Sequence, residues 1–258
     1  MKENDKLPIS VFIITLNESA HIEKTLRSIQ RCSEIVVVDS GSTDNTIDIA
    51  KRYGARVINH SWQGYAKQKQ IAMNLCNYDW VLNLDGDEEI TPEILNELSI
   101  IIEDKIYGSV RLKRIDQFIG EFPNNFVKKQ NNLRFYRKFC ARFDVDKLVH
   151  ESANVTAREL KSKNHFYHYG YDDIHILQEK MNKYSSLKAE EKFINKTKHS
   201  ITKLILIFPL TFIKRYAIDR LFMFGTRGFI KAIMESHYSF IKQAKLYERY
   251  QRELIKNK

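Results

Sequence analysis

The sequence predicts an α/β fold: a largely parallel sheet with flanking helices, followed by a helical C-terminal region. Short β-branched runs alternate with helical patterns through the first hundred residues, which is typical of βαβ units. After about residue 170, helical spacing replaces the strand patterns. The excess positive charge also lies at the C-terminal end, so we predict one domain over residues 1–195 and a basic, amphipathic helical region over residues 196–258.

Four runs in the first half are predicted as strands: 10–15, 34–39, 56–59 and 80–85. Several of them are apolar throughout, which is typical of parallel strands that are buried on both faces. The segments between them have helical spacing: 20–29, 43–53 and 63–75. The order of strand and helix therefore predicts a parallel sheet in this half of the chain.

The pattern changes after Thr91 and Pro92, where Thr is suited to cap a helix and Pro to occupy its first position. Three later runs are predicted as strands of a more antiparallel region: 109–115, 133–137 and 165–169. A long helix is predicted over 172–195, and apolar residues recur with helical spacing from Phe229 to Leu254.

The net charge of +10 alone would suit a nucleic acid, an anionic membrane or a polyanionic substrate. Residues 196–258 contain 14 Lys and Arg against 4 Asp and Glu, whereas residues 1–195 contain 28 of each sign. A neutral first half without a recognisable nucleic-acid motif argues against a nucleic-acid-binding protein.

The basic region contains an apolar run of 13 residues, 201–213, interrupted by Pro209. This run is too short to span a bilayer, which requires about 20 residues. We expect it to lie at an anionic membrane surface, with Lys203, Lys214, Arg215 and Arg220 near the headgroups. The alternative is that it packs on the sheet domain or across a homodimer.

Three cysteines at positions 32, 76 and 140 form no CxxC pair, which argues against a disulfide framework and a thiolate zinc site. The first ten residues are polar and do not resemble a signal peptide. We therefore expect a cytoplasmic protein, held peripherally on the inner face of the cytoplasmic membrane.

Polar segments follow the predicted strands at the end where open α/β sheets bind ligands: 15–18, 39–44 and 85–89, with a further segment at 149–151. Asp85 and Asp87 are separated by one glycine. Two such carboxylates can hold Mg²⁺ or Mn²⁺, whose coordination is commonly completed by substrate phosphate oxygens. Each segment alone is more often a simple turn.

Taken together, the motifs T-L-N-E, V-V-D-S-G-S-T-D-N-T and W-V-L-N-L-D-G-D-E resemble the nucleotide-sugar-binding domain of glycosyltransferase family 2, over residues 9–104. The motifs W-x-G-Y-x-x-Q-K at Trp62–Lys69, D-x-D-E and V-H-E resemble its lipopolysaccharide-core glucosyltransferase branch. Gln70 occupies a position where that branch usually has Asn. The resemblance implies a GT-A fold, which is a Rossmann-like nucleotide-binding mixed sheet with flanking helices.

The resemblance also implies an inverting, metal-dependent transferase that moves a hexose, with glucose the expected one, from a UDP-sugar to a lipid-linked oligosaccharide. The implied nucleotide-sugar-binding residues are Thr15, Asn17, Glu18, Asp39, Ser40, Asp44, Gln68, Lys69 and Asp85. Asp39 would accept the N–H of the base, and Lys69, or alternatively Lys67, would neutralise the diphosphate. Asp44 lies near the ribose or only supports the start of a helix.

Asp87 is the first candidate for metal ligation, and His168 is either a further ligand or a structural histidine. An inverting transfer also needs a base that removes the proton of the acceptor hydroxyl. The resemblance implies Glu151, next to His150, and Asp172 or Asp173 are the alternatives. A nucleotidyltransferase is the rival function, although it would carry a Gly-rich basic loop where this chain has T-L-N-E.

Overall fold

The computed structural model describes residues 6–104, 106–144, 152–171 and 173–256. The chain divides into two compact units. Unit 1 comprises Met1–Asp116 and Lys129–Gly170, and unit 2 comprises Gln117–Lys128 and Tyr171–Lys258.

Unit 1 contains a sheet of eight strands and a separate pair of short strands. In chain order they are β1 (Leu7–Thr15), β2 (Cys32–Asp39), β3 (Arg56–Asn59), β4 (Trp80–Asp85), β5 (Glu88–Glu89), β6 (Ser109–Asp116), β7 (Gln130–Arg137), β8 (Ala141–Arg142), β9 (Asn154–Val155) and β10 (Glu159–His168). The order across the large sheet is β3-β2-β1-β4-β7-β6-β10-β5, and β8 pairs with β9.

The large sheet is mixed. Strands β3, β2, β1 and β4 are parallel to one another, as the alternating pattern predicted. Strand β7 is antiparallel to both β4 and β6, which confirms the change of pattern after residue 92. Strand β10 is parallel to β6, so the second half of the sheet is less antiparallel than we expected.

Four helices cover the sheet: α1 (Ile22–Ser28), α2 (Thr46–Arg52), α3 (Tyr65–Asn74) and α4 (Pro92–Glu103). Neighbouring residues of β1 point to opposite faces, so Val11 belongs to the core beneath α1 and α4, and Phe12 to the core beneath α3. Burial on both faces explains why the strands are apolar throughout. Helix α4 begins as predicted, with Thr91 at its N-cap and Pro92 at its first position.

Unit 2 is helical and contains α5 (Ile174–Ile194), α6 (Ile201–Ile213) and α7 (Gly225–Lys256). Helix α7 packs against both α5 and α6, so α5 belongs to the same unit as the C-terminal helices. The sequence pattern instead predicted a boundary after residue 195, at the end of α5. A short π-helix, Lys214–Ile218, continues α6. Among the helices described, none is both long enough and apolar enough to cross a membrane.

Candidate active site

The loops after β1 and β2 are joined by hydrogen bonds at the carboxyl end of the sheet. Asn17 has a left-handed backbone, with φ of 56°, which Asn adopts more readily than most residues. Its side-chain oxygen accepts from the N–H of Thr43 at 2.8 Å, and its own N–H donates to the Ser42 hydroxyl at 2.9 Å. The N–H of Glu18 donates to the Thr46 hydroxyl at 2.8 Å. These contacts fix the two predicted loops in one arrangement.

Asp39 is a fully buried carboxylate at the end of β2. One of its oxygens accepts from the N–H groups of Gly41 and Ser42, both at 2.8 Å, and the other accepts from the Ser42 hydroxyl. The turn depends on Gly41, whose φ of 102° disfavours residues with a side chain. A carboxylate has about four acceptor positions, so Asp39 retains capacity for one further donor.

Asp44 joins the same two loops from the other side. One carboxylate oxygen accepts from the N–H and hydroxyl of Thr46, at 3.0 and 2.5 Å, and the other accepts from the N–H of Ser19 at 3.1 Å. These hydrogen bonds, that from the Thr46 hydroxyl foremost, hold the pKa of Asp44 below its ordinary value. Asp44 was predicted either to lie near the ribose or to support the start of a helix. Its hydrogen bonds to Thr46, the first residue of α2, are contacts of the second kind.

Helix α3 brings Gln68 to the end of β2, where its amide donates to the Ser40 hydroxyl at 3.1 Å and to the His60 carbonyl at 2.9 Å. The carboxamide oxygen of Gln68 and the hydroxyl of Thr15 are buried, and neither has a hydrogen-bond partner within the described part of the chain. Buried polar atoms are nearly always paired. Each of these two atoms thus retains the capacity for a hydrogen bond to a ligand.

Gln70 has a structural role. Its side-chain oxygen accepts from the N–H of Phe143 at 2.8 Å, and its amide donates to Asn74 at 2.8 Å. Gln70, which replaces the usual Asn of the motif, therefore connects α3 to the segment before residue 145.

A chain of four charged side chains crosses from α3 to β7. The ammonium group of Lys69 donates to Asp85 at 3.0 Å, and Arg134 donates to the other oxygen of Asp85 at 2.8 Å. Arg134 also pairs with Glu88, which accepts from the N–H of Asp85 at 3.0 Å. All except Asp85 are buried, and about a third of the Asp85 side chain (35%) is exposed.

The charges in this chain fix the protonation state of Asp85. Burial alone would raise its pKa, but the positive charges of Arg134 and Lys69 outweigh burial and hold the pKa well below its ordinary range. Burial raises the pKa of Glu88, although Arg134 opposes this. Asp85 is therefore an anion held by two cations. Lys69, predicted to meet the diphosphate, is committed to Asp85, while Lys67 on the same helix is exposed.

Asp87 follows in the next turn and lies against the end of β10. Its carboxylate oxygen is 3.4 Å from Nε2 of His168, whose Nδ1 is 3.2 Å from Asp116. Asp116 in turn pairs with Arg114 at 2.8 Å. Burial would lower the pKa of His168, but the charge of Asp87 and the close contacts with Asp116 and Asp87 raise it to about 9.

At two glycines the backbone comes close to an acidic side chain. A Cβ atom at Gly170 would lie 2.6 Å from the Asp87 carboxylate, which is too close for any side chain. A Cβ at Gly86 would lie 3.1 Å from the Glu18 side chain. The predicted segments 15–18 and 85–89 thus meet at one edge of the sheet, and Gly170 lets the backbone after β10 approach the Asp87 carboxylate closely.

The donors around Asp87 fit a divalent cation that takes part of its coordination from a substrate. Across residues 6–104, 106–144, 152–171 and 173–256, no three His, Cys, Asp or Glu side chains converge as a complete metal site. Asp87 and His168 would be two donors once a cation displaces the proton that the raised pKa leaves on the imidazole. Asp116 lies 3.2 Å from the other ring nitrogen, where a carboxylate commonly supports a ligating histidine.

The predicted catalytic base, Glu151, falls outside the described residues, as do the neighbouring His150 and the alternative base Asp172. Asp173 is described, and its carboxylate caps α5 by accepting from the N–H groups of His175 and Ile176, at 2.6 and 3.3 Å. Of the alternatives to Glu151, Asp173 is thus already engaged in capping.

Sequence reasoning missed Arg134, Glu88 and Asp116. The signal for Arg134 was a cation within an apolar run, since residues 133, 135 and 136 are buried and apolar or aromatic. No spacing in the sequence could show that β7 lies beside β4, because the two strands are about fifty residues apart.

Residues 10–161 match the family model described as Glycosyl transferase family 2, which is more than half of the chain. The chain belongs to this family. The match confirms the resemblance deduced from the motifs at strands β1, β2 and β4.

Relatives of this family 2 enzyme cover nearly its full length. It is 38% identical to the lipopolysaccharide core biosynthesis glycosyltransferase LpsC of Rhizobium meliloti (strain 1021), over 95% of this chain and 94% of LpsC. It is 35% identical to an uncharacterized glycosyltransferase of Rickettsia prowazekii (strain Madrid E), over 92% of this chain and 86% of that protein. The similarity to LpsC confirms the predicted lipopolysaccharide-core branch.

Among solved structures, residues 1–349 of S. aureus TarS, in a complex with UDP-GlcNAc, superpose with a TM-score of 0.54 at 17% identity. The match covers 96% of this chain and 92% of that one. At this identity the match concerns the fold, and it confirms the predicted GT-A architecture for the family 2 chain.

Proposed function

We propose that this enzyme transfers a hexose, with glucose the expected one, from a UDP-sugar to a lipopolysaccharide-core or other lipid-linked oligosaccharide, with inversion at the anomeric carbon. The observation that carries the proposal is the meeting of segments 15–18, 39–44 and 85–89 at the carboxyl edge of the sheet. The full-length similarity to LpsC, a lipopolysaccharide core biosynthesis glycosyltransferase, supports this acceptor class.

The nucleoside is proposed to bind where β1, β2 and α3 meet. Asp39 is held rigidly by its turn and would accept the N3–H of uracil through its remaining acceptor position. The buried Thr15 hydroxyl and Gln68 oxygen would take up further ligand groups. Asn17, Glu18, Ser40 and Asp44 would shape the pocket, since their hydrogen bonds hold its loops together.

The sugar diphosphate is proposed to lie beside Asp87, with Mg²⁺ or Mn²⁺ held by Asp87 and His168. Such a cation would stabilise the negative charge that develops on the leaving diphosphate. Asp85 would contact the ribose or water near the cation, since Lys69 and Arg134 hold it ionised and in place.

For the transfer itself, the acceptor oxygen attacks the anomeric carbon from the face opposite the diphosphate, and a carboxylate accepts its proton. Glu151 stays the predicted base, and its replacement tests that role. Glu151→Gln should lower the turnover by about 10² to 10⁴ while the protein retains its affinity for UDP. A loss of only a few-fold would assign the proton transfer to another carboxylate.

The acceptor class predicts where the enzyme works. A lipid-linked oligosaccharide is presented at a bilayer, so we propose that the enzyme acts as a peripheral protein on the inner face of the cytoplasmic membrane.

The identity of the donor is tested by measuring the melting temperature of the protein with each of a panel of nucleotide sugars, with and without Mn²⁺. We expect the UDP-hexoses, and UDP-glucose among them, to raise the melting temperature, more so with the cation, because a ligand that binds only the folded state stabilises it. Product analysis by NMR should show a β-linkage from the α-linked donor. Release of pyrophosphate from a nucleoside triphosphate would instead indicate a nucleotidyltransferase.

A further inference from the structure

Helix α6 carries an exposed apolar surface in unit 2. We call it the α6 face: Ile201, Ile205, Leu206, Leu210 and Ile213, each with 44% to 67% of its surface exposed. Ile201 and Ile205 are four residues apart, Ile213 follows eight residues later, and Leu206 and Leu210 lie beside them, so the five form one stripe along the helix. No residue of α6 is fully buried, although its other side packs against α7.

The charges around the α6 face are of one sign. Residues 192–218 include six Lys and Arg and no Asp or Glu. Lys203 and Lys214 lie at one border of the stripe, and neither forms an ion pair within the described residues. Arg215 is the exception, since it points to Asp219 and Glu235 and pairs with both.

Neighbouring helices add to this positive field. Burial lowers the pKa of Lys192 on α5, and the nearby charges of Lys242 and Lys203 lower it further. Burial followed by the charges of Lys188 and Lys203 lowers the pKa of Lys242 on α7. Three helices of unit 2 thus bring lysines close enough together to repel one another.

We propose that the α6 face binds the surface of an anionic lipid bilayer, with its isoleucines and leucines among the upper acyl chains and Lys203 and Lys214 among the headgroups. The sign of the charge selects this partner. A second copy of the chain would bring two sets of like charges together, whereas an anionic bilayer both covers the apolar stripe and neutralises the lysines. This inference extends beyond the sugar donor and does not depend on it.

The test is flotation of the full-length protein with vesicles of phosphatidylcholine alone or with 30 mol% phosphatidylglycerol, at low and high salt. We expect binding to the anionic vesicles at low salt and a marked loss at high salt. Lys203→Gln with Lys214→Gln should weaken the binding about twenty-five-fold, since each cation near an anionic surface contributes about fivefold. Leu206→Ser with Leu210→Ser should weaken it about tenfold or more.

Matched controls use sites in unit 1. Ile100 is 71% exposed on α4, so Ile100→Ser should leave flotation unchanged. Lys51→Gln with Lys161→Gln removes the same charge from exposed positions and should weaken binding far less than the α6 pair. Equal losses with these controls would show a general charge effect and overturn the assignment.

Three other outcomes also contradict the proposal: no flotation with anionic vesicles at low salt, equal flotation with neutral vesicles, or a dimer that Leu206→Ser with Leu210→Ser dissociates in analytical ultracentrifugation. UDP-glucose binding, measured by calorimetry on the same samples, separates this question from the proposed function. The α6 variants should bind UDP-glucose as the wild type does. Failure of the wild type to bind it would count against the donor proposal alone.

Discussion

The sheet edge of unit 1 and α6 of unit 2 use charge in opposite ways. At the sheet edge, Arg134 is buried between two carboxylates, and Lys69 meets one of them from the other side. Around α6, Lys203 and Lys214 are exposed beside isoleucines and form no ion pair within the described chain. In the first arrangement the charges are neutralised by other side chains of the same chain, which fixes their positions. In the second, charged and apolar side chains both stay exposed and can contact a separate binding partner.

The two arrangements should respond differently to substitution. Removing one partner of a buried ion pair leaves an uncompensated charge in a poorly solvated place, which is strongly destabilising. An exposed cation without a partner contributes little to folding, so its removal should affect binding alone.

Arg134→Met should lower the free energy of unfolding by about 3–5 kcal/mol, because it leaves Glu88 and Asp85 buried or half-buried without their shared cation. Urea unfolding followed by circular dichroism measures the change. Arg27→Met is the control: Arg27 is an exposed arginine of α1 that pairs with the partly exposed Glu23 at 3.4 Å. Its loss should cost less than about 1 kcal/mol. Similar costs for the two variants would refute the distinction between the regions.

Asp219 tests whether unit 2 also contains a buried charge that contributes to folding. Burial would raise the pKa of Asp219, but its bonds with Arg215 and Lys128 outweigh burial and lower it. Its contribution is therefore fully present above the unfolded pKa, near 4, and is lost as the pH falls through the lower folded value. Asp219→Asn should lower the free energy of unfolding, measured by urea unfolding, by about 1–2 kcal/mol at pH 7 and by less at pH 3. A cost that does not change with pH would contradict this.

The smallest effect is expected on the α6 face. Leu206→Ser should lower the free energy of unfolding by about 1 kcal/mol or less, because 44% of the surface of Leu206 is already exposed. The matched substitution Leu98→Ser, at a fully buried position of α4, should cost several kcal/mol. A large cost for Leu206 would mean that the α6 face is part of a folded interface.

Much of the first half could be predicted because its signals are local. The strand at 80–85 and the helix start at Thr91 and Pro92 depend on neighbouring residues alone, and both agree with the structure. The motifs at the strand ends likewise identified the family. In contrast, the ion pairs of Lys69 and Arg134 depend on which strands become neighbours, and the grouping of α5 with α7 depends on packing between distant segments.

The central claim is that Asp87 lies where the sugar diphosphate binds. Calorimetry with UDP-glucose and Mn²⁺, together with transfer to a lipid-linked acceptor, should be compared for wild type, Asp87→Asn and the control Asp79→Asn. Asp79 is an exposed carboxylate at the opposite end of β4. We expect Asp87→Asn to abolish the gain in affinity that Mn²⁺ gives and to lower transfer by about 10²-fold or more, with Asp79→Asn like the wild type. Wild-type transfer by Asp87→Asn at low Mn²⁺ would contradict the account.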